Sequence, residues 1–288
     1  MKLAIPAKAA PYLQVAPLAV VFLFFLVVPM MMVLVASFLD FNMTGLLPTL
    51  TLGNYIDLLT SRNTFALYLQ TLKYALIVWA ITLVLGFTVA YFLAFHVRNT
   101  LVAMGLLLLC TVPFWTSNII RMISWIPLLG KYGVFNRTLL ALGIVDKPVE
   151  WLLFSDFAVV IAYVHLFTLF MIVPIFNSMA RIDRSLIEAA VDAGAGRLRV
   201  MTKVVIPLSK TGIALGSIFV IALVMGDFFV VKIMSGGRSA SVVTAVFEDV
   251  NLLFYPPAAA SAVVLLIIVT LIVSFILRLV DVRKELTG

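Results

Sequence analysis

The sequence predicts an all-α, polytopic membrane protein with six transmembrane helices and one short helix in a long cytoplasmic loop. Three observations support this fold class: 64% of the 288 residues are hydrophobic, 11% are charged, and the mean hydropathy is +1.20. Because soluble domains carry about 25% charged residues, a water-exposed globular fold is excluded. The net charge of +7 comes from scattered Lys and Arg residues, which is typical of loops beside a membrane and not of nucleic-acid binding.

Six apolar stretches are each long enough to cross a hydrocarbon core of about 30 Å as a helix. Helices are required because backbone polar groups find no water inside the membrane. The stretches are residues 17–38, 70–95, 101–120, 157–179, 211–231 and 258–280. The first is too long for the apolar part of a secretory signal, so we expect it to be retained. The single cysteine, Cys110, lies inside the third stretch, which excludes a disulfide framework and a thiol pair for metal or redox chemistry.

The distribution of Lys and Arg predicts the side of the membrane on which each loop lies. With the amino terminus inside, twelve of the twenty cations lie in cytoplasmic segments, which are shorter than the outer loops at 39–69, 121–156 and 232–257. The positive-inside rule therefore places both termini in the cytoplasm. The twelve are Lys2, Lys8, Arg98, Arg181, Arg184, Arg197, Arg199, Lys203, Lys210, Arg278, Arg283 and Lys284. No linker divides the chain, so we expect residues 1–288 to form a single transmembrane domain.

One cytoplasmic loop, at about residues 181–209, is far longer than two neighbouring helices need, which indicates a function. Within it, Ser185 and Glu188 have the spacing of a capping box. In such a box the hydroxyl accepts from the third helical N–H and the carboxylate reaches back to the capping residue. This spacing predicts a helix that begins at Leu186.

The predicted loop helix is about two turns long and has one small apolar face. The face consists of Leu186, Ala189, Ala190 and Ala193. Gly194 follows it and is suited to the left-handed residue that ends a helix. From the residues alone, such a face fits either a groove on another protein or the surface of the membrane.

The same loop also carries a spaced sequence pattern. It runs Glu188-Ala189-Ala190, then Gly194 after three residues, then Val204-x-Ile206-Pro207 after nine more. This pattern resembles the EAA motif of ABC importer permeases, which reads EAA, three residues, Gly, nine residues and I-x-L-P. Val204 for Ile and Ile206 for Leu are conservative departures, and Met201 stands where many members have Phe. The resemblance favours docking to a protein over the lipid-surface interpretation of the helix.

Shorter motifs extend the resemblance over nearly the whole chain. They are Asn54-Tyr55, Pro113-Phe114-Trp115 with Arg121 and Trp125, Gly133 with Asn136, and Gly226-Asp227-Phe228. Together they are similar to the spermidine/putrescine branch of these permeases. Branches that carry ferric ion, opines or phosphonates share much of the same frame, so these solutes remain alternatives.

The resemblance implies a type I importer in a bacterial inner membrane, with this chain as one permease subunit. Its partners would be a second homologous permease subunit, a cytoplasmic ATPase dimer and a periplasmic substrate-binding protein. The residues implied in coupling to the ATPase are Ser185, Glu188, Ala189, Ala190, Gly194 and Pro207. Gly130-Lys131 lacks the rest of a phosphate-binding G-x-x-x-x-G-K-[ST] sequence. ATP and Mg would therefore be bound by the ATPase partner, and we expect no cofactor in this chain.

Two other classes of membrane protein fit the composition. A secondary transporter usually shows internal repeats or several ionisable residues within its spans, whereas we find no repeat and Asp227 is the one acid in a predicted span. A membrane-embedded enzyme needs a cluster of catalytic side chains. The two histidines, His96 and His165, have no such neighbours in the sequence, so we expect structural roles for both.

Asp227, Phe228 and Trp115 are the candidates for the solute path. A polyamine combines ammonium groups with methylene spacers, and carboxylates and aromatic faces suit these two parts. Asp227 lies near the outer end of the fifth predicted span, beside Phe228. The alternatives are that Asp227 pairs with Lys232 or Arg121 or is solvated, and that Trp115 belongs to an interfacial aromatic belt. We expect no metal site.

Overall fold

The computed structural model describes residues 10–42, 45–97 and 99–280, and it confirms the all-α fold class. Four helices are long and apolar enough to cross a membrane on their own: Gln14–Ala36, Arg62–His96, Asp156–Met179 and Tyr255–Leu279. Two further pairs of helical segments are each bent at a short break, and each pair would cross the membrane as one span. The first bent pair is Leu101–Trp115 with Asn118–Ala141, and the second is Arg197–Leu208 with Lys210–Gly226. The described residues therefore contain up to six crossings, one for each predicted stretch.

The described residues up to Thr64, together with Ala245–Leu266, form one compact unit. The elements up to Thr60 are α1 (Ala10–Phe22), a π-helical turn (Leu23–Val27), α2 (Val28–Ala36), β1 (Leu39–Asn42), β2 (Gly45–Leu50) and α3 (Gly53–Thr60). The two strands pair antiparallel, with Leu39 opposite Leu50. This hairpin lies in the predicted outer loop 39–69 and was not expected, because no alternating apolar pattern precedes or follows its turn.

Asn54 and Tyr55 hold the end of α2 to the first strand. The buried Asn54 side chain donates to the carbonyl of Ser37 at 3.1 Å and to that of Leu39 at 2.9 Å. The Tyr55 hydroxyl lies 2.7 Å from the Ser37 hydroxyl, and its ring centroid lies 5.1 Å from that of Phe38. This motif therefore has a packing role, because it satisfies backbone carbonyls where the helix becomes a strand.

The second compact unit is Phe65–Thr244 with the described residues from Ile267 onward. The elements that complete the chain are α4 (Arg62–Tyr91), a π-helical turn (Phe92–His96), α5 (Thr100–Thr111), a 3-10 turn (Val112–Trp115), α6 (Asn118–Ile123), α7 (Trp125–Leu129), α8 (Val134–Ala141), a 3-10 turn (Glu150–Leu152), α9 (Asp156–Met179), α10 (Arg184–Asp192), α11 (Arg197–Val200), a π-helical turn (Met201–Val205), α12 (Ile206–Leu208), α13 (Lys210–Gly226), α14 (Phe229–Met234), α15 (Val242–Asn251) and α16 (Tyr255–Leu279).

The core of the second unit is the contact between α9 and α13. Two glycines of α13 allow this contact: a Cβ on Gly212 would lie 2.4 Å from the carbonyl oxygen of Pro174, and one on Gly216 would lie 2.7 Å from the sulfur of Met171. Gly86 of α4 also faces Met171, because a Cβ on Gly86 would lie 2.6 Å from the Met171 Cγ. Small residues that let helix backbones approach closely are typical of packing within membranes. They make α9 the central helix of this unit.

The third predicted span, 101–120, is not one straight helix. The chain leaves α5 through the 3-10 turn and then bends by 90° into the helices that begin at Asn118. Pro113 lies in that turn, and Thr116 has extended backbone (φ −100°, ψ 150°). Because proline lacks an N–H and disrupts the preceding helix, the apolar stretch continues while the helix does not.

The fifth predicted span, 211–231, also has different limits. Its helix α13 ends at Gly226, and Asp227 is extended before α14 begins. At the other end, the helical segment before Ser209 is bent by 69° from α13. The Ser209 hydroxyl donates to the Val205 carbonyl at 2.7 Å. This hydrogen bond satisfies a backbone acceptor at the bend.

Part of the evidence for orientation lies outside the described residues. Lys2, Lys8, Arg98, Arg283 and Lys284 contribute to the predicted positive inner side, and all five fall in segments that the structure does not describe. The cytoplasmic position of both termini therefore remains a prediction.

Candidate functional site

The predicted loop helix is present as α10, but it begins at Arg184 and not at Leu186. Its N-cap is Asp183, whose carboxylate accepts a hydrogen bond from the Ser185 N–H at 3.0 Å. The predicted capping box is therefore wrong, because Glu188 is the fifth residue of the helix and not the third. An Asp cap is as favourable as Ser, and its charge also suits the positive end of the helix dipole. The same hydrogen bond lowers the pKa of Asp183.

The carboxyl end of α10 agrees with the prediction. Gly194 has φ +81°, in the left-handed region. Its N–H donates to the Val191 carbonyl at 2.8 Å, and the Ala195 N–H donates to the Ala190 carbonyl at 3.0 Å. These are the two bonds of a Schellman motif. A Cβ on Gly194 would meet no atom within 4 Å among the described residues, so the backbone conformation, and not space, favours glycine.

The surface of α10 is open along its whole length. None of its nine residues is buried. Leu186, Glu188, Ala189 and Val191 are exposed, and Ala190 is half-buried. The helix is thus capped at both ends, and Leu186 and Val191 are apolar side chains that it leaves exposed.

The loop continues as a second helical segment, Arg197–Leu208, which we call the basic arm. It consists of α11, the π-helical turn and α12, and Pro207 lies in its last turn. Val200 and Val205 are buried, whereas Pro207 is exposed beside the 69° bend. Pro207 therefore lies where the helix changes direction. Proline is tolerated there because no continuing helix needs the N–H that proline lacks.

Asp227 links the end of α13 to the start of α14. Its carboxylate accepts a hydrogen bond from the Val230 N–H at 2.8 Å, which caps the first turn of α14. It also accepts from the hydroxyl of Tyr163 at 3.3 Å. Tyr163 is buried in α9, and Asp227 is half-buried. The carboxylate is thus held by a tyrosine and by backbone at the junction of three helices.

A row of aromatic side chains leads away from Asp227 along α9. Tyr163 stacks on Phe167 with 5.6 Å between ring centroids, and Phe167 lies 6.3 Å from Phe170. Phe170 in turn lies 5.1 Å from Phe114 and 6.3 Å from Phe219 of α13. Phe170 is half-buried and Phe219 is exposed. The row therefore extends from the Asp227 site to an open face of α13.

The other two predicted path residues lie in different surroundings. Trp115 is 83% exposed, which fits the aromatic-belt alternative as well as it fits a path. Phe228 is half-buried and its ring lies 5.2 Å from that of Phe229. The sequence analysis grouped both with Asp227, whereas it did not include Tyr163, whose hydroxyl donates to the Asp227 carboxylate.

Arg121, which the sequence suggests as a possible partner for Asp227, is a buried cation. It is 6% exposed, and its guanidinium carbon lies 4.9 Å from the centroid of the Phe114 ring. One terminal nitrogen, Nη2, donates to the side chain of Asn118. Nε and Nη1 are buried with no hydrogen-bond partner among the described residues. The cation–π contact and the Asn118 bond therefore replace the ion pair considered from the sequence.

Asp156, the first residue of α9, is the centre of a polar cluster that sequence reasoning missed. Its carboxylate accepts from Lys73 at 2.8 Å, Gln70 at 3.0 Å, the Tyr74 hydroxyl at 2.6 Å and the Ser239 hydroxyl at 2.5 Å. The partners are more than 80 positions away in the sequence. The cluster fastens α4 and the loop after α14 to the start of α9.

An open cavity of about 750 Å³ lies where α9 and α13 approach α10. Its walls include Asn177, Arg181, Thr211, Leu215 and Phe219. Phe219 also belongs to the aromatic row. The row and the cavity are therefore continuous along α13, with polar groups concentrated at the end near α10.

Comparison with known proteins gives one family match. Residues 83–285 match the family described as "Binding-protein-dependent transport system inner membrane component". This range covers well over half of the chain and includes α10, the basic arm, Asp156 and Asp227.

Individual relatives agree with that match. The chain is 36% identical over 216 residues to the spermidine/putrescine transport system permease protein PotB of Escherichia coli (strain K12), covering 75% of this chain and 77% of the relative. The protein of the same name from Haemophilus influenzae is 30% identical over 218 residues, with 75% and 74% covered. A chain of a bacterial alginate ABC transporter, crystallised with an alginate-bound periplasmic protein, superposes with TM-score 0.73 at 17% identity, with 93% and 92% covered.

Proposed function

Because the chain belongs to the family of binding-protein-dependent transport system inner membrane components, we propose that it forms half of a pathway that imports polyamines of the spermidine and putrescine type. The chain is a multi-pass permease subunit of an ABC importer in the inner membrane, and it is not an enzyme. ATP is hydrolysed by a separate ATPase subunit. The similarity to PotB over three quarters of the chain is the single observation that carries the choice of solute.

The chemistry around Asp227 supports a cationic solute. A half-buried carboxylate lowers the energy of an ammonium group that has lost part of its water, whereas it repels an anion. The aromatic row beyond it offers ring faces for further ammonium groups and apolar surface for methylene spacers. A second permease subunit would supply the opposite wall, which accounts for the open face at Phe219 and the cavity beside it.

We also propose that α10 docks onto the ATPase subunit. Its capped ends and exposed apolar face are suited to a groove on a partner protein. The contacts would be made by residues in the segment that includes Ser185, Glu188, Ala189, Ala190, Gly194 and Pro207. A periplasmic substrate-binding protein would deliver the solute at the other face of the membrane.

The solute is tested by binding and uptake together. The cognate substrate-binding protein is titrated with spermidine, putrescine, an opine, a phosphonate and ferric ion, and uptake of the bound solutes is measured in vesicles that contain the full importer. We expect binding and uptake of the two polyamines. Tight binding of an anion or of ferric ion, with no affinity for polyamines, would overturn the solute proposal and leave family membership intact.

The same vesicles test Asp227. In Asp227→Asn the amide oxygen still accepts from the Val230 N–H, so the fold is kept while the charge is lost. We expect polyamine uptake to fall roughly tenfold, which corresponds to about 1.4 kcal/mol. The matched control is Asp146→Asn, which removes an exposed carboxylate and is expected to leave uptake unchanged. Equal uptake in both variants would mean that Asp227 has only a structural role.

A further inference from the structure

The basic arm, Arg197–Leu208, has the orientation of a helix that lies along a membrane surface. It is bent by 69° from α13, the spanning part of the same pair. If α13 stands along the bilayer normal, the arm lies about 20° from the membrane plane (90° minus 69°). The bend falls at Ser209, immediately before Lys210 begins α13. The arm is thus placed at the level where the span enters the membrane.

One face of the arm is basic and is not covered by the described unit. Arg199 and Lys203 are four residues apart, so they share a face of the helix, and both are exposed. Val200 and Val205 are buried on another face. Across residues 10–42, 45–97 and 99–280, neither cation forms an ion pair. Their charge is therefore available to an anionic surface outside this chain.

Apolar side chains are interleaved with these cations. Leu198 is 71% exposed, and Ile206 and Leu208 are also exposed. A helix that carries exposed leucine and isoleucine among lysine and arginine is typical of the boundary between headgroups and acyl chains. A surface that faced only water would not favour these apolar residues.

The neighbouring helix α10 has a different character. Its exposed face is built from alanines and leucine, and its exposed acids include Glu188 and Asp192. Two adjoining helices thus present two surfaces, one suited to a protein groove and one suited to anionic headgroups. Since Arg199 and Lys203 belong to the arm, whereas Arg184 of α10 shares its helix with Glu188 and Asp192, the lipid contact is assigned to the arm and not to α10.

We propose that the basic arm binds anionic phospholipid headgroups of the cytoplasmic leaflet through Arg199 and Lys203, and that this contact holds α10 at a fixed height for docking. The inference rests on family membership and on the proposed cytoplasmic position of the loop, and it is independent of the solute. Each Lys or Arg at an anionic membrane surface strengthens binding by about fivefold. Two such residues together therefore favour anionic over neutral lipid by about 25-fold.

The test measures lipid binding by the complete importer. The purified complex is titrated with phosphatidylglycerol in a phosphatidylcholine background, and bound lipid is counted by native mass spectrometry. The double variant Arg199→Gln/Lys203→Gln is expected to bind phosphatidylglycerol about 25-fold more weakly. The charge-preserving variant Arg199→Lys/Lys203→Arg is expected to bind normally. Raising the salt concentration should weaken binding by the wild type more than by the Gln variant.

A matched control removes two cations elsewhere. Arg137→Gln/Lys147→Gln makes the same change in net charge at two exposed residues of the predicted outer loop 121–156, and it is expected to retain binding. An equal loss of phosphatidylglycerol binding in both double variants would show that only the net charge of the complex matters, and it would overturn the proposal. Dissociation of the ATPase subunit from the Arg199→Gln/Lys203→Gln complex, with lipid binding unchanged, would assign the face to the ATPase instead. Failure of the wild-type importer to take up polyamines would bear only on the proposed function, because lipid binding by the arm does not depend on the solute.

Discussion

Two side-chain ion pairs, Lys73–Asp156 and Lys131–Glu150, differ in what surrounds them. Asp156 is paired with Lys73 and also accepts three further hydrogen bonds, and its side chain is 38% exposed. Glu150 is paired with Lys131 at 2.5 Å, but its side chain is 69% exposed. Because hydrogen bonds to a charged group stabilise more than exposed ion pairs do, the first pair is expected to matter for stability and the second is not.

We expect Asp156→Asn to lower the free energy of unfolding by about 1–2 kcal/mol, with allowance for solvent screening at a partly exposed group. Glu150→Gln serves as the control and is expected to change it by less than about 0.5 kcal/mol. Thermal unfolding of the purified variants in the same detergent gives the comparison. Equal shifts in Tm would contradict the view that Asp156 fastens three segments of the second unit.

Among the helical elements, α10 offers a clean test because two glycines follow it in different conformations. Gly194 has φ +81°, whereas Gly196 has φ −67° and ψ 163°. A Cβ at either position meets no described atom within 4 Å. Alanine at Gly194 therefore strains the backbone by about 1–2 kcal/mol, and alanine at Gly196 does not.

If the end of α10 must be rigid for docking, Gly194→Ala should reduce solute-stimulated ATP hydrolysis by the importer several-fold while membrane insertion stays normal. Gly196→Ala should behave as the wild type. Larger charged residues at Gly194 or Ala190 should uncouple hydrolysis more completely. Full coupling in Gly194→Ala and in the charged variants would remove the reason for assigning ATPase docking to α10.

The elements also show what can and cannot be predicted from the sequence. The α10 helix and its closing glycine depend on local signals, and both are correct. The predicted start of α10 is two residues late because Asp183, and not Ser185, caps the helix. The 90° bend after α5 falls inside the apolar stretch 101–120, so hydropathy alone does not reveal it. The Asp156 cluster joins residues more than 80 positions apart, and no local pattern reports such a contact.

At the scale of the whole molecule, the spans differ in how much protein covers them. Half of the most apolar window of Asp156–Met179 is buried within the chain, whereas none of the window of Gln14–Ala36 is. The window of Gln14–Ala36 is the more apolar of the two, with a mean hydropathy of 3.0 against 2.4, so a polar composition does not explain why protein does not cover it. The apolar surface of Gln14–Ala36 must be covered by lipid or by a partner subunit, because exposed apolar area of this size is unfavourable in water.

The bent pairs make the topology of the whole chain testable. If each bent pair crosses the membrane once, six crossings separate the loops, and the segment between Ala141 and Asp156 lies opposite the loop that contains α10. Reporter fusions after Val145 and after Gly194 should then report opposite sides, with Gly194 in the cytoplasm. Between these sites the chain has one straight spanning helix, Asp156–Met179, so this result depends on that crossing alone. A third fusion after Asn99 should agree with the one after Gly194, because the bent pair that follows it would cross once. Identical sidedness for Asn99 and Val145 would instead show that Leu101–Trp115 and Asn118–Ala141 enter and leave the membrane on the same side.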